Sequence, residues 1–172
     1  MRLTLAVLAC SSIMASAVAA GVGPAVGATA TAPFVVPCAD TIGNLATPAG
    51  GNRRVVLGVL SVPSVAVGSE RLLGVLHWRY WTKVVVGVRR SPATVTISVP
   101  NAWRSTIAVG WGNRTVELPR IRFSSCADAT SPSWSTYAGG LYLRRHVACA
   151  PLVVSDGQRT ATVRIAIDGT CS

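Results

Sequence analysis

From about residue 54 onward, apolar and polar side chains alternate with a period of two, the signature of strands that bury one face. Val95, Ile97 and Val99 alternate with Thr94, Thr96 and Ser98 until Pro100 ends the run. Ile107, Val109 and Trp111 alternate with Ala108 and Gly110. Val116, Leu118, Ile121 and Phe123 line another face, with Pro119 breaking the strand and Arg120 and Arg122 on the opposite side. Val163, Ile165 and Ile167 repeat the pattern with Arg164 outside. Two apolar runs, Arg54 to Leu60 and Val84 to Val88, read as more fully buried strands. Between Val153-Val154 and the last strand, Asp156-Gly157 is a hairpin signal, because glycine supplies the positive φ of a tight turn. Gly50-Gly51-Asn52, Ser91-Pro92, Gly112-Asn113, Ser131-Pro132 and Gly139-Gly140 read as further turns. Eight or nine short strands without interleaved helices predict an all-β fold: an antiparallel, immunoglobulin-like β-sandwich with two disulfides, or alternatively a closed β-barrel.

The N-terminus departs from this pattern. Met1 and Arg2 precede an apolar stretch from Leu3 to about Met14, and small residues follow, with Ala17-Val18-Ala19 fitting the small-x-small rule of signal cleavage. Residues 1–20 are therefore expected to be a signal peptide, cleaved after Ala19 or Ala20. Val7-Leu8-Ala9-Cys10 has some likeness to a lipoprotein box, but the apolar stretch before Cys10 is short. Retention as a membrane anchor is opposed by Ser11, Ser12 and Ser16, which interrupt the ~20 apolar residues a span requires. Residues 21–37, rich in Ala, Gly, Thr, Val and Pro, read as a flexible spacer. Residues 38–172 are the length of a single domain. The expected location is secreted or extracytoplasmic, associated with the cell envelope, with no transmembrane segment once the signal is removed.

Cysteine count sharpens this reading. Loss of the signal removes Cys10 and leaves Cys38, Cys126, Cys149 and Cys171, an even number in an exported chain, which favours two disulfides. Three pairings satisfy that count; Cys126–Cys149 with Cys38–Cys171 is the one expected, the second bond tying the domain's ends together. No C-x-x-C occurs and the chain has two histidines, so no metal site is expected.

Lys83-Val84-Val85-Val86-Gly87-Val88-Arg89, Thr94 to Pro100, Ile107 to Gly112 and Arg122-Phe123-Ser124-Ser125-Cys126 come in order before Trp134-Ser135-Thr136-Tyr137-Ala138-Gly139-Gly140-Leu141-Tyr142-Leu143. Ala148-Cys149-Ala150-Pro151-Leu152-Val153-Val154 and Gly169-Thr170-Cys171 follow. Over residues 83–171 this order resembles a group of uncharacterised secreted or membrane-tethered actinobacterial proteins with a cysteine-bracketed Trp-x-x-Tyr-x-Gly-Gly block. The resemblance implies export and a β-rich domain. It implies no activity.

Charge and chemistry narrow the function classes. The formal net charge is +10, and removal of Arg2 leaves +9. Lys83 is the lone lysine; every other basic side chain is arginine, as a GC-rich coding sequence would give. The net charge still attracts anionic polymers. Catalytic groups are sparse. Asp156 and Asp168 sit in turns, and Asp40 and Asp128 each lie two residues after a cysteine. Glu117 with Asp128 is a conceivable hydrolytic pair, and His77 and His146 lack any nearby nucleophile signature. Gly50-Gly51 and Gly139-Gly140 lack the lysine and helix of a phosphate loop. No catalytic residue and no cofactor is expected.

The candidate binding surface is His77-Trp78-Arg79-Tyr80-Trp81. On a strand, Trp78 and Tyr80 share one face while His77, Arg79 and Trp81 share the other, setting an indole beside a guanidinium. Arg120, Arg122, Arg144 and Arg145, with Arg53-Arg54 and Arg89-Arg90, form an anion-binding patch if they converge. The leading expectation is a non-enzymatic envelope-binding domain whose partner is an anionic cell-wall polymer, a glycan or another exported protein. Export argues against nucleic acid. A secreted hydrolase and a protein-binding effector or inhibitor are the alternatives.

Overall fold

The computed structural model describes residues 32–45, 48, 52–72, 77–91, 93–113, 117–124, 126 and 134–171. In chain order the strands are β1 (Phe34–Val36), β2 (Gly43–Leu45), β3 (Arg53–Val56), β4 (Leu60–Pro63), β5 (Val65–Arg71), β6 (Tyr80–Lys83) and β7 (Val86–Arg89). They continue with β8 (Val95–Ser98), β9 (Ile107–Trp111), β10 (Arg120–Phe123), β11 (Trp134–Tyr137), β12 (Gly139–Leu143), β13 (Cys149–Ser155) and β14 (Thr160–Ile167). Among the described residues there is no α-helix, only single 3₁₀ turns at Cys38–Asp40 and Asn101–Trp103. No described helix is long and apolar enough to cross a membrane.

Two sheets form a β-sandwich. The larger has the order β1-β10-β8-β13-β14-β5-β6-β12-β9, and the smaller β2-β11-β7-β4-β3. Period two governs burial as the sequence predicts. On β10, Ile121 and Phe123 point inward and Arg120 and Arg122 outward; β8 and β13 alternate in the same way. Both sheets feed one core, in which Leu60, Val86 and Tyr137 of the smaller sheet meet Ile97, Phe123, Leu141 and Ile165 of the larger. The Phe123 and Tyr137 rings lie 4.9 Å apart across the interface. The larger sheet curls until Val109 of β9 forms an isolated bridge with Leu118, just before β10. That single bridge does not close a barrel.

Several elements differ from the sequence reading. The sheet is not purely antiparallel: β1 runs parallel to β10, and β14 parallel to β5. Strands are also more numerous than the seven to nine of an immunoglobulin domain. Phe34–Val36, inside the stretch read as spacer, is a strand whose Val36 is fully buried. Arg54 to Leu60 is not one strand but the β3–β4 hairpin. It reverses at Leu57 and Gly58, both at positive φ (54° and 75°), with Val59 N–H donating to the Val56 carbonyl at 3.0 Å. An all-apolar run conceals that turn because leucine rarely adopts left-handed backbone.

Gly139-Gly140 is likewise no turn. It opens β12, which is paired on both sides, with β6 and with β9. The segments Tyr80–Arg89 and Trp134–Leu143 form one antiparallel ribbon that belongs to the larger sheet at one end and the smaller at the other. The chain changes sheet at Val84-Val85 and again at Ala138, and Val84 N–H donates to the Gly139 carbonyl across the bend at 2.8 Å. Strands that switch sheets make the corners of such sandwiches. Here the corner leaves no room for a side chain at either glycine. A Cβ on Gly139 would stand 2.2 Å from the Gly110 carbonyl oxygen, and one on Gly140 2.1 Å from that of Thr82. Trp111, fully buried behind the bend, donates its indole N–H to the Val84 carbonyl at 2.6 Å.

The disulfides are Cys38–Cys126 and Cys149–Cys171, not the pairing expected from the sequence. Strand direction dictates this. Both β10 and β13 are antiparallel to β8, so they run the same way. Cys126 follows the end of β10 whereas Cys149 begins β13, which puts them at opposite ends of the sheet. Cys38 instead follows β1, whose parallel register with β10 brings Val36 opposite Phe123 and the two cysteines together, Cα to Cα 5.8 Å. Cys149 sits opposite Ala166 near the end of β14, from which the chain turns back to Cys171.

Peptide mapping without reduction is expected to recover Cys38–Cys126 and Cys149–Cys171 and no other bridge. Their sequence separations are 88 and 22 residues. Chain entropy then ascribes about 4.6 kcal/mol to the first and about 3.4 kcal/mol to the second, so Cys38→Ala/Cys126→Ala should lower the chemical-denaturation midpoint more than Cys149→Ala/Cys171→Ala. Gly140→Ala should destabilise by about 3 kcal/mol or prevent folding, since backbone and not a side-chain tip blocks the added methyl.

Candidate functional site

The arginines divide into two groups. In the first, guanidinium groups bond within the fold. Arg53 donates to Ser61 Oγ at 3.0 Å and to the Ser61 and Val85 carbonyls, and its burial lowers its pKa below the ordinary arginine value. Arg54 donates to the Arg164 carbonyl, tying β3 to β14 of the other sheet. Arg90 bonds Ser135 Oγ and Asn44 Oδ1. Arg159 grips Asp156 and also reaches the Leu57 carbonyl at 2.9 Å, joining two hairpin tips. Of the arginines offered for an anion patch, Arg53, Arg54 and Arg90 thus engage their guanidinium donors within the fold.

The second group points outward. Arg120 and Arg122 are exposed on β10, and cross-strand pairing fixes their neighbours. Arg122, Thr96, Ser155 and Thr160 form one row across β10, β8, β13 and β14, and Arg120, Ser98, Val153 and Thr162 form the next. One row farther along, Arg164 pairs with Pro151. This outer face carries arginines, hydroxyls, Val153 and Pro151, and no carboxylate stands at any of these register positions.

The third row leads into an open cleft of about 490 Å³ lined by Trp103, the Arg145–Cys149 segment, Pro151 and Arg164. Trp103 is half-buried: its 3₁₀ turn packs it against the core while leaving it on the cleft wall. The β12–β13 loop distributes three consecutive side chains. Arg144 places its guanidinium 5.3 Å from the centre of the Trp78 ring. Arg145 lines the cleft, and His146 meets the Tyr80 ring edge-on with centroids 6.3 Å apart. Trp78, Tyr80, Arg144 and Arg145 are thereby gathered around one loop. The cation that faces an indole is Arg144 on Trp78, not Arg79 on Trp81. Trp81 lies instead along the sheet surface, its Nε1 2.9 Å from where a Gly140 Cβ would be, in register with Tyr142. Trp103 and Arg164 had not stood out as site residues; the signals for them were an indole just after Pro100 and an outward-facing arginine between Val163 and Ile165.

His146 of the cleft, with its neighbours Asp168 and Ser69, is not arranged as a nucleophile relay. His146 Nε2 lies 3.3 Å from Asp168 Oδ2, and Ser69 Oγ donates to that same oxygen at 2.7 Å. A nucleophile–base–orienter relay needs the serine against the histidine with the carboxylate behind it; here the carboxylate is in the middle and takes both bonds. The Ser69 hydroxyl, and after it His146, hold the Asp168 carboxyl below its ordinary pKa. Glu117 and His77 do not line the cleft, and Asp128 lies outside the described residues. No cluster of three or more metal-ligating side chains occurs among the described residues. No protein-family model matches the sequence, and no curated protein matches it.

Asp156, beside the outer face, is neutralised locally. The Arg159 backbone N–H and then its guanidinium lower the Asp156 pKa from 3.8 to about 2. A depressed folded-state pKa means that this carboxylate's contribution to stability is complete above 3.8 and is lost as pH falls toward 2. Carbon-detected NMR of the Asp156 carboxyl should give a midpoint near 2, moving only part of the way back toward 3.8 in Arg159→Ala, which keeps the backbone N–H.

Proposed function

We propose that this chain is an exported, non-enzymatic domain that binds an acidic glycan of the cell envelope, with the Trp103–Arg145–Arg164 cleft as its binding site. The observation that carries the reading is the composition of the cleft wall: two arginines, an indole and a proline, with no carboxylate among the lining residues. Arginine forks fit carboxylate and phosphate oxygens, and charge-assisted bonds of this kind are the strong ones. A half-buried indole with a neighbouring prolyl ring offers a flat apolar platform to the face of a sugar. The net charge of the chain adds long-range attraction that salt screens over about 8–10 Å. Export is supported by the signal-like residues 1–20, by two disulfides and by the resemblance to exported actinobacterial proteins.

The test is retention of the purified protein on isolated cell-wall polymer across a salt series, with neutral glycan and duplex DNA as controls. Retention should fall with salt and exceed that on both controls. Arg145→Ala and Arg164→Ala should each weaken binding roughly tenfold, from about 1.5 kcal/mol per charge-assisted contact, and Trp103→Phe should weaken it less than Trp103→Ala. Circular dichroism checks that each variant is folded. Absence of retention at low salt would overturn the reading and leave a protein partner as the hypothesis to pursue.

A further inference from the structure

We infer that the cleft is one end of a longer track, and that the outer face of β10, β8, β13 and β14 takes successive units of a linear acidic glycan. This rests on the glycan reading of the cleft and extends it to chain length and direction. Three observations carry it. First, Arg164 belongs to both features: it lines the cleft and stands two residues from Thr162 on the outward side of β14. The face and the cleft are therefore one surface. Second, cross-strand register puts Arg120 and Arg122 three strands away from Arg164, with Thr96, Ser98 and Ser155, together with Val153, between them. With strands about 4.8 Å apart and about 3.3 Å per residue along each, the diagonal from Arg122 to Arg164 is on the order of 20 Å. That distance exceeds what one sugar occupies. Third, Arg120 and Arg122 are exposed and have no side-chain hydrogen bond or ion pair to another described residue, unlike the arginines that tie the sheets together.

A pleated face of threonines and serines with arginines on its two sides suits a polyhydroxylated anion better than bare charge. The hydroxyls donate to or accept from ring hydroxyls, and the arginines meet acidic groups at the two sides of the face. Occupying several such subsites with one linked ligand raises affinity with ligand length, because each added unit binds at high effective concentration.

The experiment measures affinity by calorimetry for the dimer and the hexamer of galacturonic acid, with cellohexaose and inorganic polyphosphate as arms that separate ring from charge. The hexamer is expected to bind at least about tenfold tighter than the dimer, an increment of about 1.4 kcal/mol. In Arg120→Ala/Arg122→Ala that ratio should collapse toward one, and circular dichroism should be unchanged. Equal affinities for dimer and hexamer in the native protein would overturn the track while leaving the cleft as a site, as would a ratio that survives in the double variant. Failure of both oligomers to bind would overturn the cleft reading itself. Polyphosphate binding as tight as the hexamer's would overturn the glycan in favour of charge alone, and cellohexaose binding as tight as the hexamer's would overturn the role given to the arginines.

Discussion

The fold turns on the bend at Val84-Val85 and Ala138-Gly139-Gly140, where one two-stranded ribbon passes from one sheet to the other. At Gly139 and Gly140 neighbouring backbones approach too closely for a Cβ. The apolar volume that the missing side chains would have supplied comes from tryptophans on either side, Trp111 from within and Trp81 from without. Because the indole N–H of Trp111 bonds the Val84 carbonyl, the bend satisfies in the core a carbonyl that a continuous strand would have paired with a neighbour. An unpaired carbonyl at that depth would cost about 1–3 kcal/mol. The bend is one of two places where strands run from sheet to sheet, the other being Ser64, between β4 and β5.

The positions of the other features follow. The ribbon places β12 between β6 and β9, so the loop after Leu143 emerges beside Trp78 and Tyr80. That loop then delivers Arg144, Arg145 and His146 to three different neighbours before β13 begins. Arginines close the remaining gaps. Arg54 and Arg159 each cross between the sheets to a main-chain carbonyl, the use of a long side chain with an apolar stem and a forked, always charged head. The high arginine content thus has two physical outcomes: some guanidinium groups act as mortar within the sandwich, and others are left to face solvent.

Much of the all-β character was legible in the sequence because alternation is a local property. Val95/Ile97, Ile121/Phe123 and Val163/Ile165 each announced a strand and its buried side, and Asp156-Gly157 announced its hairpin. What was not legible depended on distant partners. Gly139-Gly140 carries the same letters as a turn, and only the proximity of Gly110 and Thr82 shows why glycine is needed inside a strand. The Leu57 reversal was hidden in an apolar run. Cysteine pairing depended on strand directions three neighbours apart, which no local pattern encodes. Of the candidate residues Trp78, Tyr80, Arg144 and Arg145, gathered around one loop, Arg145 lines the cleft, whereas Trp103 and Arg164 came to notice only through the cleft's geometry. The value of Arg120 and Arg122 as a stripe was readable from alternation, whereas their alignment with Arg164 required the register of four strands.

The order of the cysteines along the chain has a bearing on how the molecule is made. Cys38–Cys126 and Cys149–Cys171 close loops that neither overlap nor nest. Oxidation of either therefore proceeds without threading one loop through the other, and neither bond is a topological prerequisite for its counterpart. The C-terminal loop comprises little more than the β13–β14 hairpin, a local unit that can seal itself. The N-terminal loop must wait for β10 to be in place before β1 can be pinned beside it. As the chain emerges it can thus acquire its long covalent loop before residues 149–171 appear, and its short one independently at the end.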